Sequence, residues 1–180
     1  CYFGKAALAA LNYLDWTPDV VHCHDWQAAL VPLYLRTCFK DSNVGRASCV
    51  LTIHNLRFQG IYDRKTIQYW SGLPDYVFNK DCLTQNWLDA NMLKGGITYS
   101  NVVTTVSNTY AGEIQTEEYG EGLEEHLRYH HNKLVGIVNG IDTDIWNPAT
   151  DKLLAAPYDS TNVIENKKAN KKALQESLGL

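Results

Sequence analysis

The sequence predicts an α/β fold, a parallel sheet flanked by helices. Three observations predict it. Short runs rich in β-branched residues alternate with helical patterns, the connections between them are short, and residues 19–54 read strand, helix, strand in succession. That last pattern is the βαβ unit, which joins parallel strands through a right-handed crossover. Alternation of this kind builds a layered sheet rather than a bundle or a sandwich.

Residues 1–15 place Phe3, Ala7, Leu11 and Leu14 at helical spacing, which predicts an amphipathic helix. Thr17-Pro18 stops it, because the residue before a proline avoids helical backbone. Residues 19–24 form a short β-branched strand, and a helix over 26–39 follows at once, burying Leu30, Leu33 and Leu35. Residues 47–54 read as a second, buried strand. Residues 55–83 read as a loop, with Gly60, Gly72 and Pro74 among the aromatics Phe58, Tyr62, Tyr69, Trp70, Tyr76 and Phe78. A loop of that length is uncommon unless it packs over something functional. Helix resumes over 84–100, a third strand spans 101–107, and a helix over 108–116 takes Asn108 as its N-cap. A short helix over 121–131 leads into a fourth strand over 133–139. The last helix, charged throughout, runs over 162–178 with Asn162 and Glu165 in capping-box register and Gly179 as its stop. Residues 1–180 therefore read as a single Rossmann-like unit, in line with about one domain per ~150 residues. The helical pattern is already running at Cys1, and no methionine precedes it, which predicts a piece of a longer chain.

Composition narrows the function. The chain carries 16 Lys+Arg against 20 Asp+Glu, a formal net charge of -4, which argues against a nucleic-acid binder and against a basic membrane-surface patch. No apolar run approaches the ~18 residues of a membrane span. The 5 cysteines are scattered without CxxC spacing, as in a reduced intracellular protein rather than a disulfide scaffold.

In open parallel sheets ligands gather outside the carboxyl ends of the strands. Here those ends read His24-Asp25-Trp26-Gln27, His54-Asn55-Leu56, Ser107-Asn108 and Asn139-Gly140-Ile141-Asp142. The set is rich in amide, imidazole and carboxylate and poor in positive charge. It suits a neutral polyol, whose hydroxyls donate and accept, with Trp26 offering an apolar face to a sugar ring. It does not suit a bare phosphate, since the chain has neither GxGxxG nor GxxxxGK[ST]. Plainer readings stand beside these. Asp25 serves equally as a helix cap, His54 as a satisfied histidine at a strand end, and Asn139-Gly140 as a turn. His22 and His24 on one strand face, with His126, His130 and His131 near Glu124 and Glu125, invite a metal. No HExxH is present, and the expectation is no metal site. Cys23 lies mid-strand, where a buried thiol is inert, and no GxSxG elbow appears.

These blocks taken together resemble the bacterial glycogen synthases and plant starch synthases, the ADP-glucose-dependent glucan synthases. The matching text is residues 18–26 (PDVVHCHDW), Thr52-Ile53-His54-Asn55-Leu56 with Gln59-Gly60, and Leu93-Lys94-Gly95-Gly96-Ile97. It continues through Thr104-Thr105-Val106-Ser107, Tyr110-Ala111, Glu113-Ile114, Gly136-Ile137-Val138-Asn139-Gly140-Ile141-Asp142 and Trp146-Asn147-Pro148. Order and spacing agree over essentially the whole chain.

The resemblance implies the GT-B arrangement of two facing Rossmann-like domains, this chain being the C-terminal part of the first, acceptor-side domain and the second being absent. It implies transfer of glucose from ADP-glucose to the non-reducing 4-OH of an α-1,4-glucan (glycogen or starch) with retention, without metal or other cofactor. Carried over by position, His54 is the catalytic residue that hydrogen-bonds the transferred glucose. Asn139 is a second donor-sugar contact, and Asp25, Trp26 and Asn55 are acceptor-glucan contacts. Gln27 departs from the His often found after the Trp. The family's N-terminal Lys-x-Gly-Gly-Leu loop is missing, since Lys94-Gly95-Gly96-Ile97 sits in a helix and matches an internal block. The expectation is a hexosyltransferase whose isolated piece does not turn over, in a bacterial cytoplasm, with a plastid as the alternative setting. A glucan-binding piece without catalysis, or another GT-B enzyme such as a sucrose synthase, are the competing readings.

Overall fold

In a computed structural model, which describes residues 1–14 and 16–180, contacts divide the chain into two compact units, Cys1–Val138 and Asn139–Leu180. The first unit is built on β1 (Val20–His24), β2 (Ser48–Ile53), β5 (Val102–Thr105) and β6 (Leu134–Gly136), all parallel and in the order β1-β2-β5-β6. A separate antiparallel pair joins β3 (Ile61–Asp63) to β4 (Asp89–Asn91). The helices of this unit are α1 (Tyr2–Leu11), α2 (Asp25–Ala28), α3 (Val31–Arg36), α4 (Arg64–Ser71), α5 (Met92–Tyr99), α6 (Asn108–Glu113) and α7 (Glu124–Tyr129). The second unit carries α8 (Val163–Ser177). The predicted parallel sheet flanked by helices is the one observed. Asp15, the end of the first predicted helix, lies outside the described residues.

Burial of β2 and of α3 makes the core. Cys49, Leu51 and Ile53 from the strand and Leu33, Tyr34 and Leu35 from the helix are wholly buried. A seam of small residues lets α5 approach them. A Cβ on Gly95 would lie 2.6 Å from Leu83 Cδ2, and one on Gly96 would lie 2.8 Å from both Cβ and the carbonyl oxygen of Ala29. The Lys94-Gly95-Gly96 block is thus a helix-packing device. Lys94 itself is 8% exposed, and its Nζ donates to the carbonyls of Lys80 and Thr84. Burial holds its pKa below the ordinary lysine value.

The structure departs from the sequence reading where a partner far along the chain, or one proline, overrides local pattern. The first helix buries Gly4 and Leu8, while Phe3 and Leu14 face outward. Gly4 is what lets α1 press on α3, since a Cβ there would lie 3.0 Å from Val31 Cγ2. The helix expected over 26–39 is two helices, broken before Pro32, which has no N–H to continue the ladder. The aromatic loop contains β3 and α4, the latter capped by Asp63 Oδ1 accepting from Thr66 N at 2.9 Å and ended by Gly72 at φ 63. The helix expected over 84–100 starts only at Met92. Before it, Asp89–Asn91 pairs with β3, and buried Asn91 caps α5 by accepting from Lys94 N at 3.0 Å.

Two further caps differ. Ser107, not Asn108, caps α6 by accepting from Tyr110 N at 2.9 Å. Asn162 stands before α8 without capping it and accepts from Asp159 N at 2.9 Å, whereas Gly179, at φ 69, ends the helix as expected. In the second unit Asn170 pins residue 156 to α8 through both its backbone groups, at 3.0 and 2.6 Å.

The seam is testable. Gly96→Ala gains about 1 kcal/mol of helix propensity but forces a methyl against backbone, which costs about 1–3 kcal/mol. The expected outcome is a net loss of stability of about 1 kcal/mol, read as a lower urea midpoint at unchanged slope.

Candidate active site

The site grows from the carboxyl ends of β1 and β2. Strand β1 stops because Asp25 adopts φ 54, left-handed backbone that an ordinary residue occupies at a cost of about 1–2 kcal/mol and that aspartate tolerates best after asparagine and glycine. The turn aims its carboxylate sideways. Asp25 Oδ1 accepts from the backbone N–H of His54 at 2.8 Å, tying the end of β1 to the end of β2. Asp25 is therefore a cross-strand acceptor and not the cap of α2, whose N-cap position is His24.

The side chain of His54 is held as well. Its Nε2 lies 2.9 Å from Nδ1 of His24, with the ring planes 29° apart. One residue pair deeper, His22 Nε2 meets Thr52 Oγ1 at 2.7 Å, and Thr52 meets Thr104 Oγ1 at 2.6 Å, a polar ladder across β1, β2 and β5. Burial first, then the neighbouring His24 and His54, push the His22 pKa below its ordinary value. His54 and Asn55 are exposed at the sheet's edge. Asn55 spends its Oδ1 on Arg57 N at 3.0 Å, which shapes the turn after β2.

Trp26 completes this wall. It lines a cleft of about 370 Å³ with Asp25, Gln27, Asn55 and Phe58. Its ring lies across the backbone of Gly60, where φ is 66 and a Cβ would come within 2.5 Å of Trp26 Cε3. Tyr62 approaches it to 6.0 Å between ring centroids, and a larger apolar groove of about 780 Å³ extends from the two rings toward Ile67, Trp70 and α1. Asp25, Trp26, His54 and Asn55, four of the residues singled out from sequence, are thus neighbours.

The fifth, Asn139, opens the second unit, three residues past the end of β6, and is exposed. Asn139-Gly140 forms no turn. The turn comes at Asp142, whose Oδ1 accepts from Asp144 N and Ile145 N, both at 3.0 Å.

The other histidines do structural work. His126 Nε2 sits 3.1 Å from Thr98 Oγ1 and 3.2 Å from the Lys94 carbonyl, and His130 packs edge-on against its ring. Burial, with His130 and Lys94 nearby, takes the pKa of His126 down to about 3. Burial and Lys133 take His130 down to about 4. Among the described residues no group of three or more His, Cys, Asp or Glu side chains lies together as metal ligands would. Cys23 is buried beside Cys49, with sulfurs 3.9 Å apart, and its pKa is raised by that hydrogen bond and by burial.

Sequence reasoning missed three features here: the Thr52–Thr104 ladder, the pairing of His24 with His54, and an amide cluster around buried Asn91. In that cluster Asn91 Nδ2 donates to Gln59 Oε1 at 2.6 Å and to Gln85 Oε1 at 2.9 Å. Same-face spacing of His22 with His24 was a visible signal for the second. The others join segments with no local mark.

Comparison with known proteins bears on this geometry. A family model for the starch synthase catalytic domain matches residues 1–129. The chain belongs to the starch synthase catalytic-domain family. Among its relatives is a glycogen synthase of Thermotoga petrophila, 51% identical over 180 residues, covering 99% of this chain and 36% of the relative. A glycogen synthase of Lachnospira eligens is 49% identical, covering 99% and 37%. The solved catalytic domain of starch synthase IV from Arabidopsis thaliana, bound to ADP and acarbose, superposes with a TM-score of 0.77 at 38% identity, over 99% of this chain and 36% of that one. The chain thus spans little more than a third of the length of these synthases. Its parallel sheet flanked by helices is the layer arrangement of a GT-B glycosyltransferase domain. Among the described residues no helix is long and apolar enough to cross a membrane.

Two outcomes test the site's physics. Asp25→Asn keeps both the acceptor and the tolerance for left-handed backbone, whereas Asp25→Ala loses both. Chemical denaturation is expected to show the Asn variant near the parent and the Ala variant lower by about 2 kcal/mol.

The second concerns pH. A histidine whose folded pKa lies below its unfolded value of about 6.5 contributes full stability above that pH and loses it as pH falls. Stability should therefore drop from about pH 6.5 toward pH 4 and below, and His126→Gln should flatten that drop in urea midpoints compared at pH 7 and pH 5.

Proposed function

We propose that this chain is the acceptor-side part of a glycogen or starch synthase that transfers glucose from ADP-glucose to the non-reducing 4-OH of an α-1,4-glucan with retention. One observation carries the reading: His54 is hydrogen-bonded to Asp25 and His24 at the carboxyl ends of β1 and β2, beside the cleft that Trp26 and Asp25 line, in a chain of this family. ADP and acarbose, a glucan mimic, in the starch synthase IV structure support a nucleotide-sugar donor and a glucan acceptor. The bacterial glycogen synthases among the relatives support a bacterial cytoplasm as its setting.

Glucosyl transfer builds positive charge on the sugar as the nucleotide departs. Fixed dipoles and an ordered donor–acceptor pair lower that barrier more than a strong base does. His54 hydrogen-bonds the transferred glucose near the reacting carbon, and its double tether removes the freedom it would otherwise lose on binding. Asn139 makes a second contact to the donor sugar. Asp25 and Asn55 meet glucan hydroxyls on the cleft wall, and Trp26 offers its face to a glucose ring. The groups that hold the donor diphosphate belong to a second domain, the partner of this chain in the whole enzyme, so this piece by itself does not turn over.

The test is His54→Ala in the full-length synthase with ADP-glucose and glycogen. Loss of a preorganised hydrogen bond to the transition state is expected to lower kcat by about 100-fold with KM little changed. Parent-like kcat/KM would remove His54 from this role.

A further inference from the structure

The bond between His24 and His54 is not needed to build the sheet. It joins two exposed side chains at the strand ends, that of His24, whose ladder partner is Thr52, and that of His54, just past the end of β2. With ring planes 29° apart and the nitrogens in contact at 2.9 Å, the two imidazoles lie edge to edge. Two neutral imidazoles meeting this way share one N–H, so a single proton commits both rings. If His24 Nδ1 carries it, His54 Nε2 accepts and His54 must carry its own proton on Nδ1. If His54 Nε2 carries it, His54 Nδ1 presents a lone pair. In either case Nδ1 is the nitrogen of His54 left to meet a ligand, and its character is decided by His24.

The surroundings hold His24 in place for this task. His22 packs its ring 4.3 Å from that of His24 and is anchored through Thr52 and Thr104. The His54 backbone is meanwhile fixed by Asp25.

We infer that His24 is a positioning residue that orients the His54 ring and selects the tautomer it presents to the transferred sugar. The catalytic consequence rests on the role proposed above for His54; the tautomer selection does not. For metal-ligating histidines, a partner that orients the ring through its far nitrogen commonly matters by about 10–100-fold in activity, and the same orienting task sets the scale here.

The experiment has two readouts. Nitrogen-15 NMR of the histidine side chains in this chain, assigned by single substitutions, should show well-separated Nδ1 and Nε2 shifts for His54, the mark of one tautomer. His24→Ala should bring those shifts together, as the two tautomers mix. His24→Asn, whose amide occupies the place of Nδ1, should keep them apart, whereas His24→Gln, whose amide reaches only the place of Nε2, should not. In the full-length synthase the Ala and Gln variants are expected to lose about 10-fold in kcat with KM for glucan unchanged, and Asn to restore most of it. Separated His54 shifts in both His24→Ala and His24→Gln would overturn the inference. If the shifts merge as expected but His54→Ala retains full activity, tautomer selection stands and the sugar-facing role of His54 fails.

Discussion

The hydrogen bond from the His54 backbone to the Asp25 carboxylate is the constraint on which the candidate site depends. It spans two neighbouring parallel strands just where their ladder ends, so each strand end is held in position by the other. The aspartate reaches across only because its own backbone turns into left-handed space, an arrangement that costs stability locally and is recovered through the bond. The same turn swings Trp26 out over Gly60, so one backbone angle sets both the polar and the aromatic parts of the wall.

Behind that wall the fold spends its small residues on proximity. Gly4, Gly95 and Gly96 each stand where a methyl group would meet a neighbouring helix or its backbone. Helices α1 and α5 can therefore press on α2 and α3, the elements that follow β1. Lys94, drawn into the same packing, meets two backbone carbonyls instead of a carboxylate. Many polar groups of the interior are tied to a group from another segment, while Tyr34 Oη and Glu124 Oε2 are buried without a hydrogen-bond partner among the described residues. The ladder of His22, Thr52 and Thr104 is tied this way at the sheet, and Asn91 of β4 is tied this way to Gln59.

Much of the fold was legible in residue pattern, and the failures have a common cause. The parallel strands announce themselves as β-branched runs, and in the central pair, β2 and β5, burial on both faces leaves little polar alternation. Strands β3 and β4 do not, since each is three residues long and exists only through the other. The outward turn of Phe3 on α1 was invisible because helical spacing marks an apolar stripe without saying which of two stripes meets the core. At the site, residue types at strand ends pointed to Asp25, Trp26, His54 and Asn55. The choice between cap and cross-strand acceptor for Asp25 was beyond reach, because both use the same carboxylate at the same junction.

What the sequence determined by itself is the layered α/β architecture, the family, and the polar character of the sheet's carboxyl edge. Those follow from periodicity and residue type, which are local properties of the chain. Tertiary structure alone decided which polar groups meet: Asp25 with His54, His24 with His54, Thr52 with Thr104. Each pair lies 29 to 52 residues apart, and register across a sheet is set by the burial of whole strand faces rather than by any residue's own preference.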